Sequence, residues 1–311
     1  MNNFVLKTTA TGIGDCICCT PIIRKLSKIL DTKIIVYSYR PDIFKNLPYV
    51  SQSILLTENN TDSIIDLYNT DFRQVDLSEI PFIPIQHSLI DIRQFPAVHA
   101  GLYLLTDELH CDYIPIEKDD LHWYALPKEF VVVHAPQYGS SNIKNWDINN
   151  WKALCKSINL PIVYIGKDSS YETESFLPEG SFSIPSKLDN VDVINLTNSL
   201  TLDQSWHLCN KAKCVITTDS GILHLAGTTD TEIIYIAMGR NPYFTAPYRK
   251  GSQNYKMKII SNNCNWCMSN SSRTLKNAFA SNNSSQFLKR CFHVNKPCQP
   301  SVDQVLEVIN V

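Results

Sequence analysis

The sequence lacks any run of 18 apolar residues, so no segment reads as a membrane-spanning helix. It also lacks a charged leader followed by an apolar stretch. The first residues are MNNFVLKTTATG, and no signal peptide is expected. There is no surplus of one charge. Lys plus Arg is 28, Asp plus Glu is 30, and the formal net charge is −2. That removes a global electrostatic reason to bind nucleic acid or an anionic membrane, and leaves only a local basic patch open. No internal repeat is apparent. The 11 cysteines are an odd number in a chain of 311 residues, which fits free thiols in a reducing cytosol better than a disulfide scaffold. A cytoplasmic location is therefore expected.

What is present is alternation. Hydrophobic residues make up 44% of the chain, enough for substantial cores, and the length suggests two domains. Short β-branched runs read as strands at 4–9, 33–39, 51–56, 82–86, 130–136, 161–166, 191–196, 213–219 and 231–239. Helical spacing reads at 15–30, 147–158, 201–212 and 221–229, with Pro21 a warning about the start of the first helix and Asp147 and Thr201 as N-caps. Strand–helix alternation implies βαβ units and mostly parallel sheets covered by helices on both faces. It starts afresh after the irregular DYIPIEKDDLHWYALPKE. Two α/β, doubly wound domains are expected, at 1–128 and 129–311, with a ligand cleft near the carboxyl ends of their strands. Residues 261–300 are polar, Asn/Ser-rich and cysteine-rich, and read as an irregular insertion before a final helix.

Three segments follow strands and carry chemistry. In TTATGIGD, Gly12 and Gly14 allow tight turning and close backbone approach, but the third glycine of a dinucleotide fingerprint and the Lys-Ser/Thr of a P-loop are missing. Asp15 there is either an N-cap or a general base that takes a proton from a hydroxyl. In HAPQYGSSNIKNW, Lys144 and the neighbouring hydroxyls suit a diphosphate, although a solvated loop has the same composition. In TTDSGILHLAG, the strand ends in Asp219 and a helix begins at once with Ser220 and Gly221. Its first amides favour an anion, and His224 lies one turn in.

Four cysteines fall in the polar insertion: Cys264, Cys267, Cys291 and Cys298, spaced C-x2-C-x23-C-x6-C. Such a set suits a tetrahedral thiolate site for structural zinc or iron, with His293 able to replace one ligand. Free thiols or disulfides are the alternative. Cys16, Cys18 and Cys19 lie on the first helix and cannot all face one way. With Cys155, Cys209 and Cys214 they read as small core hydrophobes.

Taken in order, GIGDCICCTPIIRKL, VVVHAPQYGSSNIKNWDINNWKAL and VITTDSGILHLAGTTDTEIIYIAMG resemble the glycosyltransferase family 9 enzymes, the heptosyltransferases. The matching residues are Gly14, Asp15, Thr20 and Pro21, then Lys144 and Trp146, then Asp219, Ser220, Gly221 and His224. The resemblance implies the GT-B fold, two Rossmann-like domains facing across a cleft. It implies transfer of a sugar from a nucleotide-diphosphate donor with inversion and without a catalytic metal. Asp15 is then the base, while Gly14, Lys144 and the 219–224 segment serve the donor. Asn195 falls near where the family has a donor-contacting acidic residue, and the change to Asn leaves the nucleotide open. The four-cysteine segment resembles the metal finger of heptosyltransferases that modify autotransporter proteins. The acceptor is a glycan, a protein Ser/Thr or a hydroxymethylated DNA base. A nucleotide-sugar epimerase and a non-catalytic nucleotide-sugar binding module are the competing classes.

Overall fold

The structure, a computed structural model, describes residues 4–57, 65–67, 91–137, 144–167, 184–185, 188–250, 256–262 and 299–309. The strand expected at 82–86, residues 138–143 of the Lys144 loop, and Cys264, Cys267, Cys291, His293 and Cys298 lie outside the described residues.

Two parallel sheets organise the chain. The first contains β1 (Phe4–Thr8), β2 (Ile34–Ser38), β3 (Val50–Leu55) and β4 (Ile65–Asp66), in the order β3-β2-β1-β4. Its register sets Leu6 beside Val36 and Ile65. The first helix, α1 (Ile13–Leu30), connects β1 to β2, and the short α2 (Pro41–Phe44) precedes β3. A further helix, α3 (Gln94–His99), was not foreseen from the sequence.

The second sheet follows β5 (Val131–His134), a small antiparallel pair β6 (Pro136–Gln137) and β8 (Ile184–Pro185), α4 (Ile148–Ser157), β7 (Ile162–Tyr164) and β9 (Ile194–Asn195). It continues through α5 (Leu202–Lys211), β10 (Cys214–Thr217), α6 (Gly221–Ala226), β11 (Glu232–Ala237), α7 (Pro242–Thr245) and β12 (Met257–Ser261), and α8 (Val302–Leu306) closes the described chain. The order is β12-β11-β10-β5-β7-β9, all parallel, so the winding reverses between β5 and β10. Every residue of β5 and β10 is buried, as expected where helices cover both faces of a sheet. This is the α/β, doubly wound GT-B architecture. Among the described residues no helix is long and apolar enough to cross a membrane.

The warning from Pro21 does not move the start of α1. That proline sits in the middle of α1 and supplies no N–H to the carbonyl of Ile17. The Thr20 hydroxyl donates to that carbonyl at 2.8 Å, and the same oxygen accepts from the Asp112 amide at 2.9 Å. The helix therefore runs on unbroken. Its three cysteines are all buried because α1 is covered on more than one side. Cys16 and Cys19 meet Ser38 and Thr8 of the first sheet, whereas Cys18 meets His224 of α6. Burial pushes the Cys16 thiol up to about 12, so it is an inert core group.

The two sheets are joined by direct packing. Leu225 of α6 belongs to the core around α1 and β1, with Ile222 and Trp206 against it. Between the sheets, the 113–117 segment is pinned to α5. Buried Asp203 accepts from the Tyr113 hydroxyl and from the amides of Ile116 (3.0 Å) and Glu117 (2.9 Å).

Candidate active site

The site forms at the winding reversal of the second sheet, where open α/β sheets hold ligands. After β10 the chain turns through Thr218, Asp219 and Ser220 into α6. Ser220 caps that helix, its Oγ accepting from the Leu223 amide at 3.3 Å. The same Oγ lies 3.1 Å from Thr217 Oγ1 and 3.2 Å from His134 Nδ1, and His134 is 3.0 Å from Thr217 Oγ1. Three side chains thus tie the ends of β5 and β10 together. Burial takes the His134 imidazole down to about 3, so it is neutral at pH 7. The Ser220 side chain is engaged within the turn.

Beside this turn is a buried ion cluster. Asp219 Oδ2 lies 2.9 Å from Lys144 Nζ and 3.6 Å from Arg240 Nη1, and Asp219 Oδ1 lies 4.0 Å from His224 Nε2. Burial alone would raise the Asp219 carboxyl, but Lys144 and then Arg240 hold it well below the usual carboxylate range. Burial and the Arg240 charge lower the Lys144 amine, opposed by Asp219 and Asp15. Burial brings the His224 imidazole down to about 4 despite Asp219, which leaves the ring neutral near pH 7. Two residues beyond Lys144 the chain is anchored by Trp146. That indole is fully buried, packs edge-on against Trp151 at 4.9 Å, and donates to the Pro300 carbonyl at 2.9 Å.

The first turn of α1 faces this cluster. A Cβ on Gly14 would stand 2.6 Å from His224 Cδ2, and one on Gly221 would stand 3.0 Å from Ile13 Cβ. Both glycines are needed for close approach of two helix starts. Gly12, not Asp15, occupies the N-cap of α1. Asp15 lies in the first turn and folds back over Gly12, where a Cβ would meet its Oδ2 at 2.8 Å. Its charge registers at both Lys144 and His224. Asp15, Gly14, Lys144, Asp219, Ser220, Gly221 and His224 are thereby brought together.

Asn195 stands apart. It is exposed at the end of β9, and its Oδ1 accepts from the Thr197 amide at 3.0 Å. Next to it, Leu196 lines a cavity of about 310 Å³, a size suited to a small-molecule ligand. Ile13, Arg40 and Asp42 form one wall of this cavity, and Lys167, Leu200, Thr201 and Ser205 form much of the other. Ile13 and Ile222 place it beside the junction of α1 and α6.

The sequence reading passed over Arg240 and Arg40. Arg240 follows Met-Gly at a strand end, the same signal that drew attention to Lys144. Among the described residues no group of three or more His, Cys, Asp or Glu side chains is arranged to hold a metal ion.

A family profile, Glycosyltransferase family 9 (heptosyltransferase), matches residues 117–278, more than half of the chain. No curated protein sequence matches. Among solved structures, the glycosyl transferase family 9 protein of Veillonella parvula is similar, with TM-score 0.62 and 13% identity over 98% of this chain and 95% of that one. The E. coli ADP-heptose LPS heptosyltransferase II aligns with TM-score 0.56 and 15% identity over 83% of this chain and 90% of that one. The iron-containing dodecameric glycosyltransferase TibC of enterotoxigenic E. coli aligns with TM-score 0.55 and 15% identity over 86% of this chain and 65% of that one. At such identities these likenesses establish the fold. The profile match establishes the family, and with it the class of enzyme: the chain belongs to glycosyltransferase family 9, the heptosyltransferases.

Proposed function

We propose that this glycosyltransferase moves a sugar, a heptose or a close relative, from a nucleotide-diphosphate donor to an acceptor hydroxyl with inversion. The observation that carries this reading is the apposition of Asp15 to the Lys144–Asp219–His224 cluster across two helix starts. A base and an anion site on opposite sides of one cleft suit an in-line displacement. The acceptor oxygen attacks the anomeric carbon and its proton passes to Asp15. The bond from that carbon to the diphosphate oxygen breaks, and the electron pair leaves with the nucleoside diphosphate. Lys144 faces the charge that builds there, together with backbone amides at Ser220 and Gly221. Neutral His224 donates a hydrogen bond rather than a charge.

We take residues 1–128 as the acceptor side and 129–311 as the donor side, because the first sheet ends and the second begins on either side of that division. The cavity of about 310 Å³ suits the nucleoside, with Asn195 at its margin. The similar TibC heptosyltransferase is known in complex with ADP-D-β-D-heptose, which makes ADP-heptose the first donor to test. Cys264, Cys267, Cys291 and Cys298 are proposed to hold one structural zinc or iron, away from the chemistry, and the site is proposed to need no catalytic metal.

The deciding experiment incubates the protein with a panel of nucleotide sugars and candidate acceptors (core glycan, Ser/Thr peptides, hydroxymethylated DNA) and reads the products by mass spectrometry. Sugar added to an acceptor supports transfer. An isomerised sugar formed with no acceptor present would replace this reading with an epimerase.

A further inference from the structure

We propose that Arg240 is a second cation for the donor diphosphate, paired with Lys144 across Asp219. The proposal rests on the nucleotide-diphosphate donor reading above. Three adjacent strands of one sheet supply the group. Lys144 comes from the loop after β5, Asp219 from the end of β10, and Arg240 from the turn after β11. All three therefore emerge at the carboxyl edge of the sheet, around the winding reversal. The turn is built for this. Gly239 takes φ 43°, in the left-handed region that favours glycine, and Arg240 follows directly. Asn241 then fixes the downstream chain, its Oδ1 accepting from the Tyr243 amide at 3.0 Å.

The distances divide the roles. Lys144 forms a close ion pair with Asp219 at 2.9 Å, whereas Arg240 stands at 3.6 Å, close enough to feel the charge. Among the described residues, Asp219 is the carboxylate that both cations share. Arg240 is mostly buried, with 13% of its side chain exposed. A desolvated guanidinium presents a planar fork of donors that matches two phosphate oxygens, which an ammonium cannot do. When the sugar–oxygen bond breaks, the leaving nucleoside diphosphate gains one negative charge and the acceptor proton goes to Asp15. Lys144 and Arg240 flank the diphosphate in this arrangement, and Asp219 holds the two cations together while the site is empty.

Isothermal titration of the whole protein with ADP, GDP, UDP and dTDP, and with the matching nucleosides, tests this. Arg240→Gln should weaken the diphosphate that wild type binds by about 10- to 100-fold, the worth of one charge-assisted hydrogen bond, and leave its nucleoside unchanged. Arg240→Lys keeps a charge beside Asp219 and guards against a folding failure of the Gln variant. It should lose about tenfold on the diphosphate alone, because the fork is gone. Unchanged diphosphate affinity in both variants, or an equal loss for diphosphate and nucleoside, overturns the role of Arg240 while the donor reading stands. A wild-type protein that binds none of the four diphosphates overturns the donor reading and this proposal together.

Discussion

Gly14 of α1 and His224 of α6 meet so closely that a single added methyl would stand 2.6 Å from the imidazole Cδ2. The contact joins the two sheets at the site itself, and His224 also meets Cys18 Sγ through Nδ1 at 3.6 Å. Gly14→Ala must push the helix starts apart or turn the ring away from Asp219. Overpacking of this kind costs about 1–3 kcal/mol. Thermal unfolding should show a lowered Tm, and donor affinity should fall with it. A variant with wild-type Tm and affinity would contradict the tight apposition.

The Lys144–Asp219–Arg240 arrangement predicts an asymmetry. Asp219→Asn leaves two buried cations facing each other without their shared carboxylate, at a cost of about 3–5 kcal/mol. Lys144→Met leaves Asp219 with Arg240 still at 3.6 Å, so the loss should be smaller. Urea unfolding of the two variants measures the order. A larger loss in Lys144→Met than in Asp219→Asn would remove Arg240 from the cluster.

Two buried histidines set an acid limit. In the folded chain burial holds the His224 ring at about 4 and the His134 ring at about 3, against 6.5 for an ordinary histidine. Below pH 6.5 the unfolded chain therefore binds protons that the folded chain does not. Stability is full above pH 6.5 and falls as the pH drops toward 4, at about 1.4 kcal/mol per pH unit for each ring. Asp219, held below its ordinary range, extends the loss to lower pH. Denaturation midpoints between pH 7.5 and 4.5 report this, and His134→Gln should remove one proton from the slope. A flat profile over that range would contradict both burials.

The sequence made most strands of both sheets legible, though not Ile65–Asp66, because buried parallel strands are short β-branched runs bounded by polar turns, as in VVVH and CVIT. The caps Asp147 and Thr201 were equally plain, since each side chain satisfies an amide of its own helix. Pro21 left the start of α1 open because its accommodation depends on the hydroxyl of Thr20, a tertiary detail that periodicity does not carry. The helix Gln94–His99 was hidden by Pro96, and the edge strand Met257–Ser261 by its interleaved lysine. Arg240 escaped notice because its meaning lies in Asp219, 21 residues earlier in the chain and one strand away in the sheet. The three cysteines of α1 drew attention as a cluster, yet each is buried against a different neighbour.

The cysteine-rich segment calls for a direct count of metal. Four thiolates in a tetrahedral site leave no open position, so the ion would organise the polar segment rather than act on substrate. Elemental analysis of protein purified under reducing conditions should find about one zinc or iron per chain, following the four-ligand stoichiometry. The Cys264→Ser/Cys267→Ser double variant should lose it. A fully folded, metal-free preparation would refute the finger.

Asp15 is the residue on which the proposed transfer depends. It is not the cap of α1, since Gly12 occupies that position. It lies in the first turn, folded over Gly12, with its charge registering at Lys144 and His224 across the cleft. In the proposed reaction a base in that position takes the acceptor proton as the sugar moves. Asp15→Ala and Asp15→Asn should each lower transfer by about 10²- to 10⁴-fold, the usual worth of general base catalysis. Binding of the nucleoside diphosphate should stay close to wild type, because the proposed anion site belongs to the other sheet. Transfer at the wild-type rate in either variant would remove Asp15 as the base, and a matching collapse of diphosphate binding would make it a structural residue instead.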